Sequence, residues 1–572
     1  MITIYESKKE EKEVTIGKAD KELVNEYSAK KNKSNSKLNY FTNEFLEEYE
    51  NVLSVDIDHV EGKIKVSEVF SGVARLYERL RTTVEYKGEH LLRRNAIERI
   101  IKRLAWEKGG LRANVDTKKI SDALIKELIW ARYLPNDTIA LSKKREVETV
   151  LKKYFYLLNN LDTLPQEVSL SKAKNWIWGV ASSEIEDLLD PSNRDLYVKL
   201  MYEWFINYFD WKDTQLDEHE KNIQIFLAIH RAFPKSDDPI MRYHLLLSEF
   251  LNWQDANKED VNKFIVNFPR LYDEIESHLN FRDRYILYRK IQKHAAAFEI
   301  LKTIAEDEGL GFRKLLSRKK KLEGKIRDVC DLKYRQIKNR VNRGIVRSIV
   351  YIFVTKVIFA LLLEVPYEVL RYGEVLYLPL SINIIFPSLM MFVIGISIKT
   401  PGAGNTEILL ERIKSIVYKS EEKRKYPFSI RRSKGKSTVV GLFSVLYVLL
   451  FMLVFGGISY ILTLIGFTIM GIMVFFVFLS LVLLFVFRVR YQASQLKIEA
   501  EREGLINSLF NFITLPFINL GFYLSRGLAK LNFFTIILDF IIEAPLKSII
   551  EIFEEWMSYI REKREDVIEV PE

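Results

Sequence analysis

Apolar residues follow two different patterns along this chain. Up to about residue 347 they recur at three- and four-residue spacing among charged residues. From residue 348 onward they gather into runs with almost no charge. The first pattern predicts amphipathic helices. The second predicts membrane spans. The expected fold class is therefore all-α: a large multi-helix domain followed by a membrane domain of about four transmembrane helices and C-terminal amphipathic helices.

Within the first region, residues 66–84 place Val66, Val69, Phe70, Val73, Leu76, Tyr77 and Leu80 on one helical face. Residues 90–106 set Leu91, Leu92, Ile97, Ile100, Ile101 and Leu104 against five arginines and lysines, and Gly109-Gly110 supplies the stop. Asp116 is placed to cap a helix reaching about Tyr133, with Pro135 beyond it. Segments 192–208, 217–232 and 260–279 behave alike. Asp237-Asp238-Pro239 reads as a capped helix start with proline in the first turn. Ten to twelve helices joined by short loops are expected. The exception is 52–66, where Val55, Ile57, Ile64 and Val66 alternate with charged residues around Glu61-Gly62, a pattern that suits a small hairpin. No fixed-period repeat is visible.

The second region divides into four spans, about 348–365, 376–398, 438–461 and 466–488. Residues 438–487 form 50 consecutive uncharged positions. That is too long for one span of roughly 20 residues, so it should turn back on itself near Gly456-Gly457 or Gly466. In the tail, 489–572, the uncharged stretch 505–525 carries Asn507, Asn511, Thr514 and Asn519 roughly along one face. Residues 533–559 set Asp539, Glu543, Lys547 and Glu551 opposite Ile536, Phe540 and Phe553. Both segments are expected to lie along the membrane surface or to pack on the bundle. A fifth span at 505–525 is the competing reading.

Charge refines this picture. The whole chain of 572 residues carries +10, and its mean hydropathy of −0.04 averages two unlike halves. Residues 313–347 alone hold fourteen Lys or Arg against three acids. Read as a basic helical stalk, 311–347, this segment would hold the cytosolic end of the first span and touch anionic lipid. Lys319, Lys320, Lys321, Arg340, Arg343 and Arg347 are its candidate headgroup contacts, joined by Arg431 and Arg432 of the basic loop 399–437. Nucleic acid binding is the weaker reading, because an apolar run starts directly after Arg347. The segment 399–436 has eleven basic and four acidic residues, whereas 366–374 has three charges, two of them acidic. The positive-inside rule then puts the head, 41–310, the 399–437 loop and the C-terminus in the cytosol, an arrangement that an even number of spans also requires. Residues 1–40 are rich in Lys, Glu, Ser and Asn and read as a mobile tail without a cleaved signal peptide. A multi-pass protein of the plasma (inner) membrane with both termini cytosolic is expected.

Candidate chemistry is sparse. A single cysteine, Cys330, excludes an intrachain disulfide. Lys434-Gly435-Lys436-Ser437 lacks the earlier glycine of a phosphate-binding loop, since Ile430 stands there. No nucleophile elbow or zincin helix is present, and the seven histidines show no ligand spacing. Asp56, Asp58 and His59 read as a solvated strand edge rather than an ion site. No catalytic, cofactor-binding or metal residue is expected. Lys356 stands out, because a charge in a span is costly and points to function by default. Glu364, eight residues on, would lie about 12 Å along and about 80° around a regular helix, which argues against a direct pair. Snorkelling of Lys356 to the interface is the simpler reading. Lys356, Glu364, Asn383 and Asp539 form the candidate intramembrane polar site. Trp204, Phe205, Tyr208, Phe209 and Trp211 crowd one segment, as a helical core or a partner groove would require. The leading expectation is a non-enzymatic membrane scaffold whose head binds a protein partner. The alternative is a transporter or channel with its polar site around Lys356.

Overall fold

The computed structural model describes residues 38–55, 62–66, 89–107, 116–161, 168–190, 194–212, 216–419, 426–430, 437–498 and 505–530, with isolated positions between 552 and 563. The segment 67–84 and the segment 533–559, apart from isolated positions, lie outside them, as do Asp56, Asp58, His59, Arg431, Arg432 and Asp539. The described chain is all-α apart from two three-residue strands. It divides into two compact units. The first holds the described residues up to Ala295 together with Ile416–Ile430, and the second those of Ala296–Ser415 and Arg431–Phe533.

The first unit contains α1 (Tyr40–Val55), α2 (Glu89–Glu107), α3 (Thr117–Trp130), α4 (Ser142–Asn159), α5 (Leu170–Leu189) and α6 (Arg194–Tyr208). Strand β1 (Phe209–Trp211) follows, then α7 (Glu218–Ala232), α8 (Asp238–Glu249), α9 (Lys258–Leu279) and the start of α10 (Arg284–Glu308). The caps read from sequence are made by hydrogen bonds. The Asp116, Asp217 and Asp237 carboxylates accept from the backbone N–H groups of Lys119, Glu220 and Ile240. Asn257 and Asp260 close a capping box at the start of α9.

Helix α5 is the hub, packed against α2, α4 and α8. Most of its length is buried, from Ala173 to Leu189. Gly179 brings its backbone close to Pro239, whose Cβ lies 3.2 Å from where a Cβ on Gly179 would stand. The aromatic segment is core: Trp204, Phe205 and Trp211 are buried. Phe205, Phe209 and Trp211 close around Phe428, with ring centroids 5.4 to 6.3 Å apart.

Phe428 comes from β2 (Tyr426–Phe428), in the loop between the second and third spans. It pairs in parallel with β1, Phe209 opposite Tyr426 and Trp211 opposite Phe428. The same loop is also tied to the N-terminal part of the unit. Asn39 Nδ2 donates to the Ile416 and Tyr418 carbonyls at 2.8 and 2.9 Å, and Thr42 Oγ1 donates to the Ile416 carbonyl at 2.9 Å. The loop 399–437 thus contributes a helix end and a strand to the head's compact unit.

The hairpin expected at 52–66 does not form as drawn. Val52–Val55 complete α1, and Lys63 bridges Ala140 instead. The Ile64 N–H donates to Ile139 O at 2.9 Å, and Asn136 holds both the N–H and the carbonyl of Val66. The alternation is real, but its partner is a distant loop.

In the second unit α11 (Phe312–Leu316) leads into α12 (Lys319–Phe359), a π-helical turn (Ala360–Glu364) and α13 (Val365–Tyr372). Then come α14 (Tyr377–Ile396), α15 (Ala403–Val417, whose last residues belong to the first unit), α16 (Ser437–Leu464), α17 (Ile469–Ala493) and α18 (Leu505–Lys530). Among the described residues, four helices are long and apolar enough to cross a membrane: Lys319–Tyr372, Tyr377–Ile396, Ser444–Leu464 and Ile469–Ala493. They match the four expected spans. The turn between the last two falls at Gly466, whose φ of 92° lies in the left-handed region that glycine tolerates. Gly456 and Gly457 stay inside α16.

Helix α17 is the centre of this bundle, packed on α12, α14 and α18. Helix α18 packs on α17 so closely that a Cβ on Gly521 would collide with the Ser480 carbonyl oxygen. Large apolar side chains of α12, α14 and α16, among them Phe353, Ile385, Phe392 and Leu453, are exposed as lipid-facing residues would be.

Candidate functional site

The buried stripe of α12 runs Leu322, Ile326, Val329, Cys330, Tyr334, Ile337, Val341, Ile345, Ile352, Lys356. Its three- and four-residue steps put Lys356 on the inward face, with none of its surface exposed. Lys356 therefore does not snorkel. Its Nζ donates to Glu364 Oε1 at 2.7 Å, and Glu364 is only 2 % exposed.

The sequence argument against this pair assumed an unbroken α-helix. The π turn at Ala360–Glu364 removes that assumption. A π-bulge adds one residue to a turn, so positions eight apart take the register of positions about seven apart in an α-helix, only about 20° from eclipsed. Pro366 gives a local reason for the bulge. It has no N–H for the Leu362 carbonyl, and its ring would crowd that carbonyl in a regular helix. Gly373, with φ of 79°, ends α13, and the Leu376 N–H is held by the buried Glu368 carboxylate at 2.9 Å.

Asn383 completes the cluster from α14. Its Nδ2 donates to Glu364 Oε2 at 2.6 Å and to the Gly471 carbonyl of α17 at 3.2 Å. The Lys356 ammonium also sits 4.8 Å from the Phe478 ring centroid. Three of the four sequence candidates, Lys356, Glu364 and Asn383, thus meet in one closed cluster linking the first, second and fourth spans. The fourth, Asp539, lies outside the described residues. Of the candidate lipid contacts, Lys319, Lys320, Lys321, Arg340, Arg343 and Arg347 are exposed along α12, and Arg431 and Arg432 lie outside the described residues.

A second polar centre, in the first unit, was not foreseen. The sequence showed histidines without ligand spacing, yet tertiary packing brings His230 (α7), His244 (α8) and Asp195 (α6) together. One ligand atom from each lies within 4.8 Å of the others. The three residues line a cavity of about 20 Å³ with Asp187, Ser236 and Tyr243. The His230 and His244 rings are 4.5 Å apart, and His230 Nδ1 is 3.2 Å from Ser236 Oγ. His230 Nε2 is buried and has no hydrogen-bond partner among the described residues. Burial, and then His244 beside it, hold His230 well below the usual imidazole range. Burial and the carboxylates of Asp195 and Glu186 push Asp187 up to about 7. Glu186 itself is neutralised by Arg93 and Arg194, each at 2.7 Å. No sequence signal could have found this site, because its three residues sit on three helices at unrelated spacings.

A further buried network is structural. Lys153 Nζ meets Glu184 Oε1 at 2.6 Å and the Trp253 carbonyl at 2.7 Å, while Tyr154 Oη donates to Glu184 Oε2 at 2.6 Å. Trp253 Nε1 donates to the same carboxylate oxygen at 3.1 Å. Every charge there has a partner, as a buried ion pair requires.

Comparison with protein-family models, with curated proteins and with solved structures finds no match for the chain.

Proposed function

We propose that this chain is a membrane-anchored scaffold. Four spans fix it in the bilayer, and the helical head offers its surface to a protein partner on the cytosolic side. The observation that carries this reading is the capture of residues 416–430 by the head's own compact unit through β2, Asn39 and Thr42. Residues 377–396 and 437–464 flank that segment as candidate spans, so the pairing supports a common membrane face for the head and the loop. The basic excess of the loop supports the cytosolic side for both. The exposed arginines and lysines of α12 then serve as contacts for anionic headgroups.

The closed Lys356–Glu364–Asn383 cluster favours the anchor over the transporter. Lys356 and Asn383 are 0 % exposed and Glu364 2 %, and their mutual bonds tie three spans together. Purification of the full chain from its native membranes in mild detergent, with mass spectrometry of bound proteins, tests the reading. A stoichiometric cytosolic partner supports it. A chain that comes out alone, and that conducts protons or potassium in liposomes in a manner abolished by Lys356→Leu, replaces it with the transporter.

A further inference from the structure

The cavity between α5, α6, α7 and α8 has the makings of a metal site. Two imidazoles and one carboxylate converge there with ligand atoms within 4.8 Å of one another. Two histidines with one carboxylate suit first-row transition dications, with positions left open for water or a further ligand. The volume of about 20 Å³ is enough for one ion or water and too small for an organic cofactor. We propose that His230, His244 and Asp195 bind a single divalent transition-metal ion, of which Zn²⁺ is the probe.

Three features beyond proximity support the assignment. First, His230 has the arrangement of a supported ligand. Its Nδ1 faces Ser236 Oγ at 3.2 Å, and its Nε2 is buried without a partner. A metal-ligating histidine typically hydrogen-bonds through its other ring nitrogen, which fixes the tautomer and ring orientation. Second, His230 is only 2 % exposed, with the Phe226 ring centroid 4.4 Å away, so packing holds its imidazole in place at the cavity wall. Third, Asp187 lines the same cavity and offers a second carboxylate oxygen donor beside Asp195.

The ligand atoms are more widely spread than in a closed tetrahedral set, where bonds of about 2.0–2.1 Å imply atoms about 3.3 Å apart. Binding therefore draws His244 and Asp195, both half-buried, toward His230. His244 Nε2 and Asp195 Oδ1 already stand 3.8 Å apart.

The test uses the full-length protein in detergent, with any affinity tag removed and bound metal stripped by a chelator. Zn²⁺ alone is titrated by calorimetry, and metal content is counted after dialysis against Zn²⁺. One equivalent should bind. His230→Ala and His244→Gln should each weaken binding by about 10–100-fold. Zn²⁺ should also raise the thermal midpoint of the wild type and leave that of His244→Gln unmoved. His219→Ala, at a residue outside the cluster, should behave as wild type. Because His230→Ala opens space in a core and could unfold the head, the half-buried His244→Gln carries the decision, with helical circular dichroism confirming its fold. No binding by the wild type, or equal binding by wild type and His244→Gln, overturns the assignment.

Discussion

Lys356 and Glu364 form a 2.7 Å ion pair across eight residues of nearly continuous helix, because a π turn falls between them. Taking one partner away leaves the other charge buried. We expect Lys356→Leu alone, or Glu364→Leu alone, to destabilise the detergent-solubilised protein by about 3–5 kcal/mol. The double variant should recover most of that loss, since two apolar side chains need no pairing in this setting. Thermal unfolding of the two single variants and the double variant measures the coupling directly.

Helix α18 offers a test of close packing. Gly521→Ala would push a Cβ against the Ser480 carbonyl. Overpacking of this kind costs about 1–3 kcal/mol. Gly456→Ala and Gly457→Ala, where a Cβ meets nothing within 4 Å, should be neutral or slightly stabilising. Denaturation of the three variants side by side separates packing from helix propensity.

The Lys153–Glu184 network makes a graded prediction in the head. Glu184→Ala strands a buried ammonium, removes the acceptor for Tyr154 and takes one of two acceptors from Trp253, a loss of about 3–5 kcal/mol. Tyr154→Phe removes one bond to the same carboxylate and the hydroxyl that accepts from Trp253 Nε1, and should cost about 1.5–3 kcal/mol. Chemical denaturation followed by tryptophan fluorescence reads both.

His278 gives a pH dependence. The Glu220 carboxylate, 2.8 Å from its Nδ1, raises the imidazole above its ordinary value. A raised folded value means that the contribution is complete below the unfolded value of about 6.5 and is lost as pH rises through the folded one. Wild type should therefore exceed His278→Gln in stability at pH 5.5, and the gap should close by pH 9. Both groups are partly exposed, so the gap should stay below about 1 kcal/mol.

Much of the architecture was legible in the sequence. Apolar run lengths locate the four spans, because a bilayer fixes the length of an uncharged helix that crosses it. Aspartates 116, 217 and 237 mark helix starts, because orphan N–H groups need an acceptor there. Other features depend on partners far away in sequence. The alternation at 62–66 was visible, but Ile139 and Asn136 as its partners were not. Pairing of Phe209 with Tyr426 joins segments on either side of two spans. The Lys356–Glu364 pair was missed for a local reason, since regular helix geometry was applied across a turn that Pro366 disfavours. The histidine cavity was missed because three helices assemble it.

We propose that the head and the 399–437 loop share the cytosolic face of a four-span anchor. Side-specific labelling decides this arrangement. Single cysteines are placed at Leu251, Glu374, Gly402 and Thr463, all exposed, in a Cys330→Ala background and probed with a membrane-impermeant maleimide. Glu374→Cys and Thr463→Cys should label in intact cells, whereas Leu251→Cys and Gly402→Cys should label only after the membrane is opened. Labelling of Leu251→Cys and Gly402→Cys from opposite sides would contradict it.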